Sequence, residues 1–157
     1  DLAIGSRMIN ARAETVAGMP AFRSAFKRRR CLVPADGFFE WKKGGEGGPK
    51  VPHWIHRVDR EPFVMAGLWE RWSPSEGDPV HSFTILTIEA AGPIKDLHHR
   101  MPVILPSESV GPWLDGETEA ADLAALLRPN AQGIQAFPVS TLVNSPRNDL
   151  PECIQPE

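Results

Sequence analysis

The chain has 157 residues, 41% hydrophobic and 24% charged, with a formal net charge of -3. This length suits one domain with a real core, and no apolar run is long enough to cross a bilayer. The acidic balance weighs against bulk coating of duplex DNA but leaves room for a local basic groove.

Cys31 and Cys153 lie far apart and form no CxxC pair, which argues against a zinc knuckle or a disulfide framework. Cys31 stands in the apolar run Cys31-Leu32-Val33 and reads as a small buried core residue. The chain opens on Asp1 with no basic and apolar leader, so the cytoplasm is the default location. The opening enters a patterned segment with no lead-in and reads as a fragment lacking an upstream part of its domain.

Residues 1–15 are short and mixed, ending in the polar cluster 10–15. Pro20 opens a predicted helix, as a first-turn proline should. Phe22 and Phe26 share one of its faces, and Lys27, Arg28, Arg29 and Arg30 close it where cations suit the helix dipole. Residues 31–34 and 37–42 read as strands, with Pro34 confining the first to an edge or bulge. The Gly-rich stretch 44–52 is a hairpin loop. Residues 53–58 alternate with period two and predict a half-buried strand. Turns at 59–62 and 73–79 flank strands over 63–69 and 81–88. One more strand is predicted over 101–105, then helices near 107–114 and 117–127, the first with Ser107 as N-cap. Residues 134–139 form a last strand, and coil follows from Pro146. The fold class is α+β: a strongly curved, mostly antiparallel sheet or β-barrel flanked by short helices.

Three segments concentrate polar groups among apolar neighbours. In Asn10-Ala11-Arg12-Ala13-Glu14, the amide both donates and accepts, and the guanidinium offers a planar fork to phosphate or carboxylate. A capped turn with an exposed ion pair of little energetic worth explains the same residues. In Gly37-Phe38-Phe39-Glu40-Trp41, a carboxylate between aromatics is pushed up in pKa or held by a partner, as a general acid/base requires. Plain alternation, with Glu40 toward water and Phe39 and Trp41 toward the core, accounts for it equally.

The third segment is Asp96-Leu97-His98-His99-Arg100-Met101-Pro102. Adjacent histidines on an extended or turning chain point in different directions and do not chelate one metal together. With no cluster at metal-ligand spacing, no metal site is expected. One imidazole can act as acid/base and the other as a structural donor, or both can be solvated loop residues. Arg23 and the tract 27–30, with Trp41, Trp54, Trp69 and Trp72, combine charge and stacking groups of the kind that bind single-stranded nucleic acid. A helix terminus plus core tryptophans is the simpler account.

Together these segments resemble the SRAP family (SOS response-associated peptidase). The resemblance runs through Ile9-Asn10-Ala11-Arg12-Ala13-Glu14-Thr15, residues 30–42, Phe63-Val64-Met65-Ala66-Gly67-Leu68-Trp69-Glu70, residues 84–87, and His98-His99-Arg100-Met101-Pro102-Val103-Ile104-Leu105. The motifs stand in the family's order and cover almost the whole chain. The resemblance implies a single SRAP domain over residues 1–157, incomplete at its N-terminus. It implies a sensor of abasic sites in single-stranded DNA that acts in the DNA damage (SOS) response. In that family an N-terminal Cys, exposed by removal of Met, forms an imine with the abasic aldehyde and then a thiazolidine crosslink. Autoproteolytic peptidase and crosslink-reversing activity accompany it.

By the same resemblance Asn10, Glu40 and His98 are the catalytic residues. Glu40 relays the proton of the α-amine, whose ordinary pKa of about 7.7–8.0 leaves it partly protonated. His98 moves a proton at the sugar ring oxygen and is chosen over His99 because the family pattern is His-x-Arg-x-Pro. Asn10 hydrogen-bonds at the crosslink. Arg12, Trp41, Thr87 and Arg100 match DNA-binding positions. No cofactor is expected. The expected partner is single-stranded DNA with abasic sites, without a membrane, for a monomer in the cytoplasm associated with the nucleoid.

The departure is the absent Cys-Gly-Arg start. Cys31 and Cys153 do not substitute, because a thiazolidine needs an α-amine and a thiol on one residue. As written, the chain is not expected to crosslink. Two alternatives remain at this point: a non-catalytic single-stranded-DNA binding module, and a conventional hydrolase acting on a peptide through Glu40 and His98.

Overall fold

The computed structural model describes residues 2–45 and 47–157. Asp1, on which the reading of the chain's opening rests, and Glu46 of the predicted hairpin loop lie outside them. In chain order the strands are β1 (Asn10–Arg12), β2 (Arg30–Ala35), β3 (Gly37–Lys42), β4 (Val51–Arg57), β5 (Phe63–Trp72), β6 (Val80–Glu89), β7 (Arg100–Pro102), β8 (Ile104–Leu105) and β9 (Ile134–Pro138). The helices are α1 (Leu2–Gly5), α2 (Arg23–Arg28), α3 (Ser107–Leu114) and α4 (Ala120–Leu126). The fold is α+β, as predicted.

The chain divides into two compact units. The first comprises the chain up to Pro34 with Val64–Ile88 and Pro102–Asn130. It is built on a curled mixed sheet in the order β1-β6-β5-β2, with β8 also paired to β5. β1 runs parallel to β6, setting Asn10 against Ile85, Ala11 against Leu86 and Arg12 against Thr87. β5 runs antiparallel to β6, with Leu68 against Thr84 and Trp69 against Phe83. One face carries the buried Ala11, Leu68 and Leu86. The fully buried Trp113 of α3 meets Phe26 of α2 edge-on at 6.0 Å between ring centroids. Its indole N–H donates to the Cys31 carbonyl at 2.9 Å, satisfying a polar atom that burial would otherwise strand.

The second unit comprises Ala35–Phe63, Glu89–Met101 and Ala131–Glu157. Its sheet is antiparallel in the order β3-β4-β9. Phe39, Trp54 and Phe137 occupy one face in register, and the Phe39 and Trp54 rings lie 4.8 Å apart. A glycine at position 37 is required there, because a Cβ would overlap the Trp54 ring.

Several predicted elements match. β2 and β3 fall on the predicted stretches, and β2, carrying Pro34, ends the sheet order as an edge strand. The cations Lys27 and Arg28 stand in the last turn of α2. Others need correction. β4 is not half-buried: Trp54, Ile55 and His56 are all inside, because both faces of this strand are covered. The predicted strand 101–105 is split at Val103, which donates to Leu86 O and accepts from Ala66 N. Pro102, lacking an N–H, cannot continue a ladder. Ser107 is the first residue of α3 rather than its cap, which is Pro106. The C-terminal stretch contains a short 3-10 turn at Pro151–Ile154, with a bridge from Val139 to Pro156, rather than coil throughout. Cys31 is only half-buried; Cys153 is the cysteine inside. No helix among the described residues is long and apolar enough to cross a membrane.

Candidate functional site

In the first unit, three predicted residues come together on the β1–β6 pair. The segment 10–12 is a strand and not a capped turn. It is anchored by the buried Ala11 against Leu86, and it continues as Ala13 N donates to Thr87 O at 2.8 Å. Alternation turns Asn10 and Arg12 to the opposite face from Ala11, and both are exposed. Thr87 stands directly against Arg12, half-buried, its hydroxyl 3.4 Å from Ala11 O. An amide, a guanidinium and a hydroxyl thus share one sheet face, with the strand pairing fixing their spacing.

The second unit carries Glu40, Trp41, His98 and Arg100. On β3, Glu40 is half-buried and faces His53 of β4. Phe39 and Trp41 point to the other face, as plain alternation predicts, with their rings 6.4 Å apart. Trp41 donates its indole N–H to Asn144 Oδ1 at 2.7 Å, which fixes the ring. Asn144 was not legible as a partner, because 103 residues separate the two.

His98 follows the 3-10 turn Gly92–Asp96, and its N–H donates to Ile94 O. The Arg100 N–H donates to His98 Nδ1 at 3.1 Å. The same nitrogen also lies 3.1 Å from the Arg100 carbonyl. Nδ1 thus faces one donor and one acceptor of the Arg100 backbone, which together hold the ring, while Nε2 is left to act outward. His98 and His99 do not point apart: their rings are 4.3 Å apart, because the chain is still turning out of the 3-10 segment. Arg100, half-buried, heads β7.

The basic and aromatic tract divides sharply. Arg29 is ion-paired with Glu70 at 2.6 Å. Arg30 spends its guanidinium on four backbone carbonyls, those of Phe26, Lys27, Trp113 and Asp115. Arg23, Lys27 and Arg28 are exposed. Trp54 is a core residue, whereas Trp69 and Trp72 are about two-fifths exposed. Among the described residues, no three His, Cys, Asp or Glu side chains converge as a metal site would need.

Residues 1–146 match the profile of the SOS response associated peptidase (SRAP) family. The chain belongs to that family. It is 43% identical to the abasic site processing protein YoqW of Bacillus subtilis (strain 168), over 99% of this chain and 70% of YoqW. It is 37% identical to the abasic site processing protein HMCES of Gallus gallus, over 94% of this chain but 49% of that protein. A solved structure of a Bacteroides thetaiotaomicron protein superposes with a TM-score of 0.90 at 31% identity, over 99% of this chain and 68% of the other. A phage-related protein of Bordetella bronchiseptica gives 0.68 at 36% identity, over 85% of this chain and 64% of the other. The SRAP assignment accounts for the motif order, and the fold is that of its structural relatives.

Proposed function

We propose that this SRAP chain processes abasic sites in single-stranded DNA, contributing acid/base and DNA-contacting groups to the formation of a thiazolidine crosslink in the DNA damage response. Peptidase and crosslink-reversing activity belong to the same reading. The observation that carries it is the alignment of Asn10, Arg12 and Thr87 on one sheet face of a chain whose relatives are named abasic site processing proteins.

The chemistry assigns each group a task. The nucleophile is an N-terminal cysteine. Its neutral amine adds to the C1′ aldehyde of the opened sugar and loses water to give an imine. Its thiol then adds across the C=N bond and closes the five-membered ring. Glu40 takes the proton that the amine must shed. His98, whose Nδ1 lies against the Arg100 backbone, moves the proton at the ring oxygen on opening. Asn10 hydrogen-bonds at the crosslink. Arg12 and Arg100 hold flanking phosphates, and Trp41 and Thr87 contact the DNA as well.

The test extends the chain upstream to begin Met-Cys-Gly-Arg and incubates it with single-stranded DNA bearing one abasic site. A gel-stable adduct is expected, lost in Cys→Ser at the new N-terminus and strongly slowed in Asn10→Ala and Glu40→Ala. No adduct, or one indifferent to these changes, overturns the reading.

A further inference from the structure

We propose that the sheet face bearing Asn10, Arg12 and Thr87 continues along β5 and β6 as a track for single-stranded DNA, with Trp69 and Phe83 as its stacking pair. The inference rests on the reading that single-stranded DNA is the partner, and it names a surface which that reading does not use.

Alternation along β6 places His81, Phe83, Ile85 and Thr87 on one face. The parallel pairing brings Asn10 beside Ile85 and Arg12 beside Thr87. The antiparallel pairing brings Gly67, Trp69 and Arg71 against Ile85, Phe83 and His81. All these side chains therefore share a face. The burial agrees: Asn10, Arg12, Arg71 and His81 are exposed, while Ala11, Leu68 and Leu86 of the other face are inside. From Thr87 to His81 the strand runs roughly 20 Å at its ordinary rise.

The composition of this face fits one occupant. Trp69 and Phe83 stand directly opposite each other, 39% and 56% exposed. Two exposed aromatic rings offer stacking surface to any base, whatever the sequence. A groove of about 500 Å³ runs beside them, lined by Cys31, Val33, Trp69, His81 and Phe83 among others. Gly67 lets the groove-lining Cys31 and Val33 pack close against β5, since a Cβ there would come within 3.0 Å of Cys31 Sγ and Val33 Cγ2. Arg12 lies toward one end and Arg71 toward the other, positions suited to backbone phosphates. The neighbouring carboxylate of Glu70 is held by Arg29. An acidic chain that gathers cations and open aromatics on one face matches a flexible polyanion with stacking bases better than an apolar partner.

The experiment titrates the chain, as it stands, against a fluorescein-labelled oligothymidine with no abasic site. Salt-sensitive binding is expected. Trp69→Ala with Phe83→Ala should weaken it about tenfold or more, and Trp69→Phe with Phe83→Tyr should retain it. Arg71→Gln should lower the salt slope by about one. Bound strand should also slow alkylation of Cys31 in the unsubstituted protein. The proposal is overturned if the chain does not bind, if the double alanine variant binds as tightly as the parent, or if the aromatic swap loses as much as the alanines. The crosslinking assay is separate. No adduct with these results intact sinks the abasic-site chemistry alone, and an adduct with an indifferent alanine pair sinks the track alone.

Discussion

The guanidinium of Arg30 lies over the ring of Trp113, 5.8 Å from its centroid, while its Nε donates to that residue's own carbonyl at 2.6 Å. Its other donors reach Phe26 O, Lys27 O and Asp115 O at 2.8, 2.7 and 2.5 Å. One side chain thus ties the C-terminal end of α2 to that of α3. Partial burial lowers its pKa, and Asp115 opposes that shift. A residue that reads in sequence as part of a nucleic-acid-binding tract is a clamp of the fold.

Arg30→Ala should therefore lower stability by about 1.5–3 kcal/mol, the usual scale for hydrogen bonds from a charged donor. Arg30→Lys should recover little, since an ammonium cannot span four carbonyls from the guanidinium's planar fork. Arg28→Ala, two residues earlier and exposed, should stay within about 0.5 kcal/mol of the parent. Urea unfolding of the three variants checks the ranking. An Arg30→Ala midpoint equal to the parent's would remove the clamp.

Gly37 makes a sharper prediction. A Cβ there would meet the Trp54 ring and lie 2.6 Å from Ile55 O. Neither neighbour is a flexible chain end: Trp54 is in the core and Ile55 O is backbone. Gly37→Ala should destabilise by about 1–3 kcal/mol, as overpacking does. Near-ultraviolet circular dichroism should change with it, because Trp54 must move. An unchanged melting temperature and spectrum would contradict the packing.

What was legible in sequence was whatever is punctuated locally. Pro34 and Gly37 bracket the break between β2 and β3, and the Gly-rich stretch marks the loop between β3 and β4. β1 was not legible: three residues carry no periodicity, and its parallel partner β6 lies some 75 positions on, from Asn10 to Ile85. The burial of Ile55 was hidden because alternation signals one covered face, and β4 has two. The residues of the proposed site are named from a family resemblance. Their support was not legible in sequence: the Asn144 bond to Trp41 and the amide of Arg100 on His98 are products of the folded chain.

Cys31 sets a pH dependence. Burial pushes its thiol above the ordinary value of 9.0. The folded state then keeps its proton to higher pH than the unfolded chain does. The stability this contributes is present below the ordinary value and is lost as pH rises through the native one. Iodoacetamide should alkylate Cys31 more slowly in the native protein than in urea at the same pH, because the thiolate is the nucleophile. The native rate should still be climbing above pH 9.0, where the unfolded rate levels off. Coincident profiles would exclude the shift. Cys31→Ala should flatten the alkaline fall in stability.

His56 provides a double-mutant test of a buried polar pair. It is 1% exposed, with Nδ1 2.6 Å from Arg57 O and Nε2 3.1 Å from the Gln135 side-chain nitrogen. A carbonyl only accepts, so Nδ1 carries the hydrogen and Nε2 accepts from the Gln135 amide. Imidazole ¹⁵N spectra should report that tautomer. His56→Phe fills the space between Trp54 and Phe137 but leaves the Gln135 amide without its partner, at a cost of about 1–3 kcal/mol, while the Arg57 carbonyl keeps the Arg60 N–H. Gln135→Leu alone should also destabilise, by leaving Nε2 unsatisfied. The two together should cost less than their sum, since removing both partners is far cheaper than removing one. Strict additivity in denaturant unfolding would mean that the hydrogen bond contributes nothing and that His56 is held by ring packing alone.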